Sequence, residues 1–209
     1  MHINNIFATP IYDSTIDNKI CSEYTEQILN LIKDSNNISK KARWSVATKD
    51  NINKLKSFEP LCNIINEHVT AYCEEGIGVR KELLHLSCMW SNVQLNGCYH
   101  PVHDHPNSFI SGVLYLQVPE DCEDGEKGEI FFVDPRVQKR MYNPEYFKRT
   151  EMSERGIWIK PKSGTIILFP SWLEHGTEYF FSKEEKNRIS LSFNYIITEC
   201  SIPTISFKL

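Results

Sequence analysis

The sequence predicts a mainly β domain, an antiparallel sandwich or jelly roll with two helices packed on one of its sheets. Two observations predict it. β-Branched or aromatic runs recur between residues 84 and 197, separated by segments rich in Gly, Pro, Asp and Asn, with no helical run between them. Two amphipathic stretches precede these runs, and each needs an apolar surface to cover.

The first helix is expected from about Lys19 to Lys33 with Asn18 as its cap, burying Ile20, Tyr24, Ile28, Leu31 and Ile32. The second is expected from about Pro60 to Tyr72. Its apolar set is Leu61, Ile64, Ile65, Val69 and Tyr72, with proline in the first turn and Gly76 just beyond the end. The strands are expected at Leu84–Leu95, Ile110–Val118, Glu129–Val133, Ile157–Lys160, Thr165–Phe169 and Ile189–Ile197. In the last, Ile189, Leu191, Phe193, Tyr195 and Ile197 alternate with Ser190, Ser192 and Asn194, so one face is buried. Pro135–Arg155 reads as a long basic insertion, either a solvated loop or a substrate cover.

The 209 residues suit a single domain, 1–209, with a mainly helical flank over 1–80 and the jelly-roll core over 81–209. Hydrophobic residues make up 41% and charged residues 24%, as in ordinary soluble domains. The net charge of -4 argues against nucleic acid or an anionic membrane as partner. No apolar run approaches a membrane span, and the opening residues lack the charged and apolar regions of a signal peptide. Cys21, Cys62, Cys73, Cys88, Cys98, Cys122 and Cys200 form no C-x-x-C and are odd in number. Reduced thiols in a cytoplasmic protein are the expectation.

The chemistry lies in Gly97-Cys-Tyr-His-Pro-Val-His103-Asp104-His105-Pro106, Gly164-x5-Pro170-x4-His175 and Arg188-x-Ser190. His103 and His105, one residue apart, share a side of an extended chain. His175 stands before a return strand that a jelly roll can bring alongside. Neutral imidazoles suit iron, zinc, copper or nickel. His100 is expected nearby but outside the ligand set. Arg188 presents a planar fork for a carboxylate, with Ser190 on the same side of the strand.

These blocks resemble the 2-oxoglutarate and Fe(II)-dependent oxygenase superfamily, and more narrowly a group of oxygenases found in marine bacteria and their phages. The similarity rests on Ile6-Phe-Ala-Thr-Pro-Ile11, His103-Asp-His-Pro-Asn-Ser, Ser111-Gly-Val-Leu-Tyr-Leu-Gln-Val-Pro119, Phe132-Val-Asp-Pro-Arg136, Leu168-Phe-Pro-Ser-Trp-Leu-Glu-His175 and Arg188-Ile-Ser-Leu-Ser-Phe-Asn194. The resemblance implies a double-stranded β-helix, a ferrous cofactor, 2-oxoglutarate as co-substrate and a hydroxylation that releases succinate and CO2. His175 matches the distal iron histidine, and Arg188 with Ser190 matches the co-substrate clamp. The usual first pair is H-x-D, whereas this chain has His103-Asp104-His105. Either three histidines hold the iron or Asp104 supplies a carboxylate; an adjacent residue on a regular strand points away, which favours His105. Tyr99 and Asn92 are candidates for the co-substrate side. Tyr115, Trp172 and Arg136 are candidates for the substrate side, with packing as the default role of Tyr115 and Trp172.

Two rival readings remain. The chain is also similar to the two cupin motifs, which would mean a metalloenzyme that does not use 2-oxoglutarate. A non-catalytic jelly-roll binding or virion protein is the other. Arg188-x-Ser190 has a defined task only in the oxoglutarate reading. The substrate class stays open between a small molecule and a protein side chain, and the oligomeric state is not encoded in any motif.

Overall fold

The computed structural model describes residues 7–42, 45–136, 141, 144–148, 150 and 153–198. Ile6 and, within the basic insertion, Lys139, Arg140, Tyr142 and Arg149 lie outside them. The chain runs through β1 (Tyr12–Thr15), α1 (Asn18–Leu31), β2 (Ile38–Ala42), β3 (Ser45–Thr48), α2 (Glu59–Ala71), β4 (Leu84–Gln94) and β5 (Cys98–His103). It continues through β6 (Ile110–Gln117), β7 (Ile130–Val133), β8 (Gly156–Ile159), β9 (Thr165–Pro170), β10 (His175–Phe180) and β11 (Arg188–Ile197).

Both helices form where their apolar periodicity places them, but their ends differ from expectation. The cap of α1 is Asp17, whose carboxylate accepts from the Lys19 N–H at 2.7 Å, and not Asn18. Beyond α2 the chain makes a wide turn over Tyr72–Ile77. It ends at Gly78 in the left-handed region (φ +68°), so Gly78 and not Gly76 is the stop. Gly76 instead packs on the Tyr72 ring.

The strands form two antiparallel sheets, ordered β1-β9-β6-β11-β4-β3-β2 and β5-β10-β7-β8. From β4 onward the chain alternates between them, except that β7 and β8 are a hairpin in the smaller sheet. This is the jelly-roll winding. β1, β2 and β3, short strands of mixed polarity, extend the larger sheet on both edges; the sequence reading had no strands there.

Alternation divides the larger sheet by face. Met89 and Val93 of β4, Leu114 of β6, Leu168 of β9, and Ile189, Leu191 and Phe193 of β11 turn to one side. There they pack with Tyr24 and Ile28 of α1 and Leu61, Ile65 and Val69 of α2. Val113 and Tyr115 of β6 and Ile167 and Phe169 of β9 turn to the other, against Ile130 and Phe132 of β7. The site residues occupy this second face, between the sheets. Among the described residues no helix is long and apolar enough to cross a membrane, and the six described cysteines are free.

Candidate metal centre

β5 and β10 are hydrogen-bonded antiparallel neighbours, and their register sets His175 opposite His103. His105 lies just past the end of β5. Its N–H donates to the Ser171 carbonyl at 2.9 Å, which ties this segment to the turn leading into β10. One ring nitrogen from each of His103, His105 and His175 lies within 4.8 Å of the others. His105 Nε2 and His175 Nε2 are 3.3 Å apart. His103 stands exposed at the mouth, and His175 is 5% exposed at the floor, its ring centroid 4.5 Å from that of Phe169.

Backbone carbonyls orient two of the rings. His103 Nδ1 donates to Pro101 O at 2.8 Å and His175 Nδ1 to Leu173 O at 2.9 Å. A carbonyl can only accept, so both rings carry hydrogen on Nδ1 and turn an Nε2 lone pair toward the centre of the cluster. Burial, and then the neighbouring His103, lowers the His105 pKa to about 4. Burial also lowers that of His175 to about 3, against the opposing effect of its bond to Leu173. Neutral imidazoles with convergent lone pairs fit a divalent d-block ion.

These shifts set a pH dependence for the metal-free protein. Both rings ionise near 6.5 when unfolded, so below that value the unfolded chain takes up protons that the folded chain refuses. Stability is therefore expected to fall as pH drops from about 6.5 toward 4 and below. His175→Gln should flatten the slope of Tm against pH between 6.5 and 4; an unchanged slope would show that His175 is not held neutral.

The cavity, about 100 Å³, runs from the histidines past Asn92 and Ser190 to Arg188. Arg188 is 1% exposed. Its Nε and Nη2 donate to Gln94 Oε1, and its Nη1 donates to the carbonyls of Lys127 (3.1 Å) and Gly128. Gly128 (φ +64°) is required there, because a Cβ would collide with the guanidinium. These partners are neutral, and burial pulls the arginine pKa below its ordinary value against the opposing effect of Tyr115, Glu129 and two nearby thiols. Beside it the Tyr115 hydroxyl is buried without a hydrogen-bond partner, with its ring centroid 5.5 Å from Arg188 Cζ. Of the five guanidinium N–H groups, only one on Nη2 is left by these bonds. A buried cation with one spare donor beside an unpartnered hydroxyl has the donors that an anion could accept from.

The sequence-based candidates divide accordingly. His103, His105, His175, Asn92, Arg188, Ser190 and Tyr115 line the cavity. Tyr115 does so at the Arg188 end and not on the open side expected of a substrate contact. His100, expected as a bystander, also lines the cavity. Asp104 is exposed and outside the histidine cluster. Tyr99 is not in the wall; its neighbour Cys98 is the buried residue, and Tyr99 packs half-exposed on Tyr179 at 4.7 Å. Trp172 is 57% exposed and also outside the wall. Arg136 borders a different cavity, of about 220 Å³, and its guanidinium is held by Asp134. Trp90, Gln94 and Thr177 were missed. Trp90 and Gln94 were legible by period 2 from Asn92 on the same strand, and Thr177 by the same period from His175.

A family model described as "Putative 2OG-Fe(II) oxygenase" matches residues 88–194. Comparison with curated protein sequences gives no match. Among solved structures, the chain is similar to HygX from Streptomyces hygroscopicus with nickel and 2-oxoglutarate bound (13% identity, 91% of this chain and 84% of that one, TM-score 0.61). It is also similar to a Pseudomonas putida prolyl-4-hydroxylase (11%, 91% and 94%, TM-score 0.60). A third is the viral collagen prolyl hydroxylase of Paramecium Bursaria Chlorella virus-1 in complex with 2-oxoglutarate (15%, 90% and 96%, TM-score 0.56). At these identities the likeness speaks for the fold, a double-stranded β-helix.

Proposed function

Because the chain belongs to the 2OG-Fe(II) oxygenase family, whose cofactor is Fe(II) and whose co-substrate is 2-oxoglutarate, we propose that it is a dioxygenase that hydroxylates a small molecule or a protein side chain. His103, His105 and His175 are the iron ligands in this reading. Arg188, Tyr115 and Ser190 receive the distal carboxylate of 2-oxoglutarate. The observation that carries it is the single cavity joining three convergent imidazoles to a buried guanidinium and an unpartnered hydroxyl.

Bound iron supplies activation of dioxygen, coupled to oxidation of 2-oxoglutarate to succinate and CO2. The chain's own groups position and shield. Arg188, clamped by Gln94 and two carbonyls, is a preorganised cation at a fixed depth. Tyr115, whose hydroxyl has no partner in the fold, would donate to the same carboxylate. Three neutral ligands leave a dication's charge uncompensated, so a dianionic co-substrate is attracted at both of its ends. Phe169 and Ile130 line the cavity, and the Phe132 ring packs against His175 at its floor. In this reading the chain acts as one domain over 1–209, and the six free cysteines among the described residues suit a cytoplasmic setting.

Anaerobic protein given Fe(II) and then 2-oxoglutarate tests the reading. The expected result is a visible charge-transfer band, with succinate released on admission of air. Asp104→Asn should keep the band and His105→Ala should lose it. Iron binding with neither band nor succinate would move the reading to a cupin-like metalloenzyme.

A further inference from the structure

His105 is oriented differently from the other two histidines. His103 and His175 each use the carbonyl two residues upstream. His105 Nδ1 faces Asn194 Nδ2 at 3.4 Å. Asn194 Oδ1 is 2.8 Å from Ser111 Oγ, which is 2.8 Å from Ser171 Oγ. Asn194 is 7% exposed, Ser111 1% and Ser171 0%. Ser171 is also the residue whose carbonyl holds the His105 N–H. A buried polar row therefore starts at the turn before β10, crosses β6 and β11, and ends on the third imidazole.

Such a row can be wired in two directions with every heavy-atom site kept, because amide oxygen and nitrogen exchange places by a 180° rotation and hydroxyls swivel. In one direction the Asn194 amide donates to His105 Nδ1. The His105 proton then sits on Nε2 and donates to His175 Nε2, which uses up the lone pair of each ring. In the other direction the Asn194 carbonyl accepts from His105 Nδ1–H, its NH2 donates to Ser111, and Ser111 donates to Ser171. Only this second direction leaves both Nε2 lone pairs free. Cys88 Sγ, 3.6 Å from the same amide position, can donate its S–H to the carbonyl there.

We propose that Asn194 is the positioning residue for His105, and that reversal of its amide along the Ser171–Ser111 row puts His105 into the metal-binding tautomer. One proton leaves Nε2 and one arrives on Nδ1 through solvent, so the ring stays neutral. The proposal rests on the three-histidine ligand set and adds what supports its third member. Partners of this kind typically change metal affinity by about 10–100-fold when lost.

The test uses the full chain, Zn(II) as a diamagnetic probe, calorimetric titration and imidazole 15N chemical shifts. Zn(II)-loaded wild type should show His105 protonated on Nδ1 and bound through Nε2. Asn194→Leu should bind Zn(II) about 10–100-fold more weakly. Asn194→Asp, whose carboxylate can only accept, should bind at least as tightly as wild type; a purely structural role would penalise both variants alike. If Asn194→Leu does not fold, Ser111→Ala gives the readout, with a loss of roughly threefold to tenfold expected from one net hydrogen bond. The proposal is overturned by leucine or Ser111→Ala binding at wild-type affinity, by aspartate as weak as leucine, or by His105 ligating through Nδ1. Wild-type affinity in His105→Ala would instead overturn the ligand set itself.

Discussion

His175→Ala is expected to abolish stoichiometric Fe(II) binding, and His103→Ala to do the same. Anaerobically loaded wild type should hold about one Fe(II) per chain. His175 lies at the floor of the cluster with its Nδ1 committed to Leu173, which fixes its Nε2 lone pair toward the other two histidines. Loss of a ligand should exceed the ~10–100-fold cost of losing a supporting hydrogen bond. The alanine also leaves a gap beside Phe169, so His175→Gln, closer in volume, serves as the packing control. Metal content after desalting and a thermal melt give the two readouts. Retention of one tightly held Fe(II) by both His175→Ala and His103→Ala would remove these histidines from the site.

At the other end of the cavity, Arg188→Gln is expected to weaken 2-oxoglutarate binding at least tenfold with Fe(II) binding intact. Truncating one partner of a buried charge-assisted pair typically costs ~2–5 kcal/mol, and each 1.4 kcal/mol is a factor of about ten. Tyr115→Phe separates anchoring from packing. A hydrogen bond to a charged acceptor contributes ~1.5–3 kcal/mol, so affinity should drop roughly tenfold to a hundredfold. The hydroxyl has no partner in the fold, so the Tm without co-substrate should not fall. Titration of the anaerobic charge-transfer band measures both variants. An unchanged affinity in Tyr115→Phe would take that hydroxyl out of the anion site, and an unchanged affinity in Arg188→Gln would take out the guanidinium.

The elements with strong periodicity were legible. β11 was readable from Ile189 to Ile197 because its apolar residues alternate without a break, and α1 and α2 from their apolar stripes. β1 and β3 were not. Each is four residues long, and Asp13, Ser14, Thr15 and Ser45 give no apolar alternation; their place is set by pairing with β9 and β4. The histidines and Arg188 were visible as motifs. Tyr99 and Tyr115 show the limit: both are strand tyrosines, but bulges between β5 and β10 shift the phase around Tyr99, and only Tyr115 turns inward. Asn194 sat in plain view in the alternation of β11. Its link to His105 crosses from strand to loop, which no local spacing records.

The alternation on β11 also bears on how this protein can change through descent. Arg188, Ser190, Ser192 and Asn194 belong to the site face, while Ile189, Leu191 and Phe193 belong to the helix-covered core. Point substitutions on one face leave the other in register, so the cavity wall can be altered while the helix-covered core is kept. A one-residue deletion inside the strand would exchange the two sets at once, putting leucine and phenylalanine into the cavity and serine and asparagine under the helices. This strand therefore tolerates replacement better than insertion or deletion, and changes of length fit best in the connections between strands.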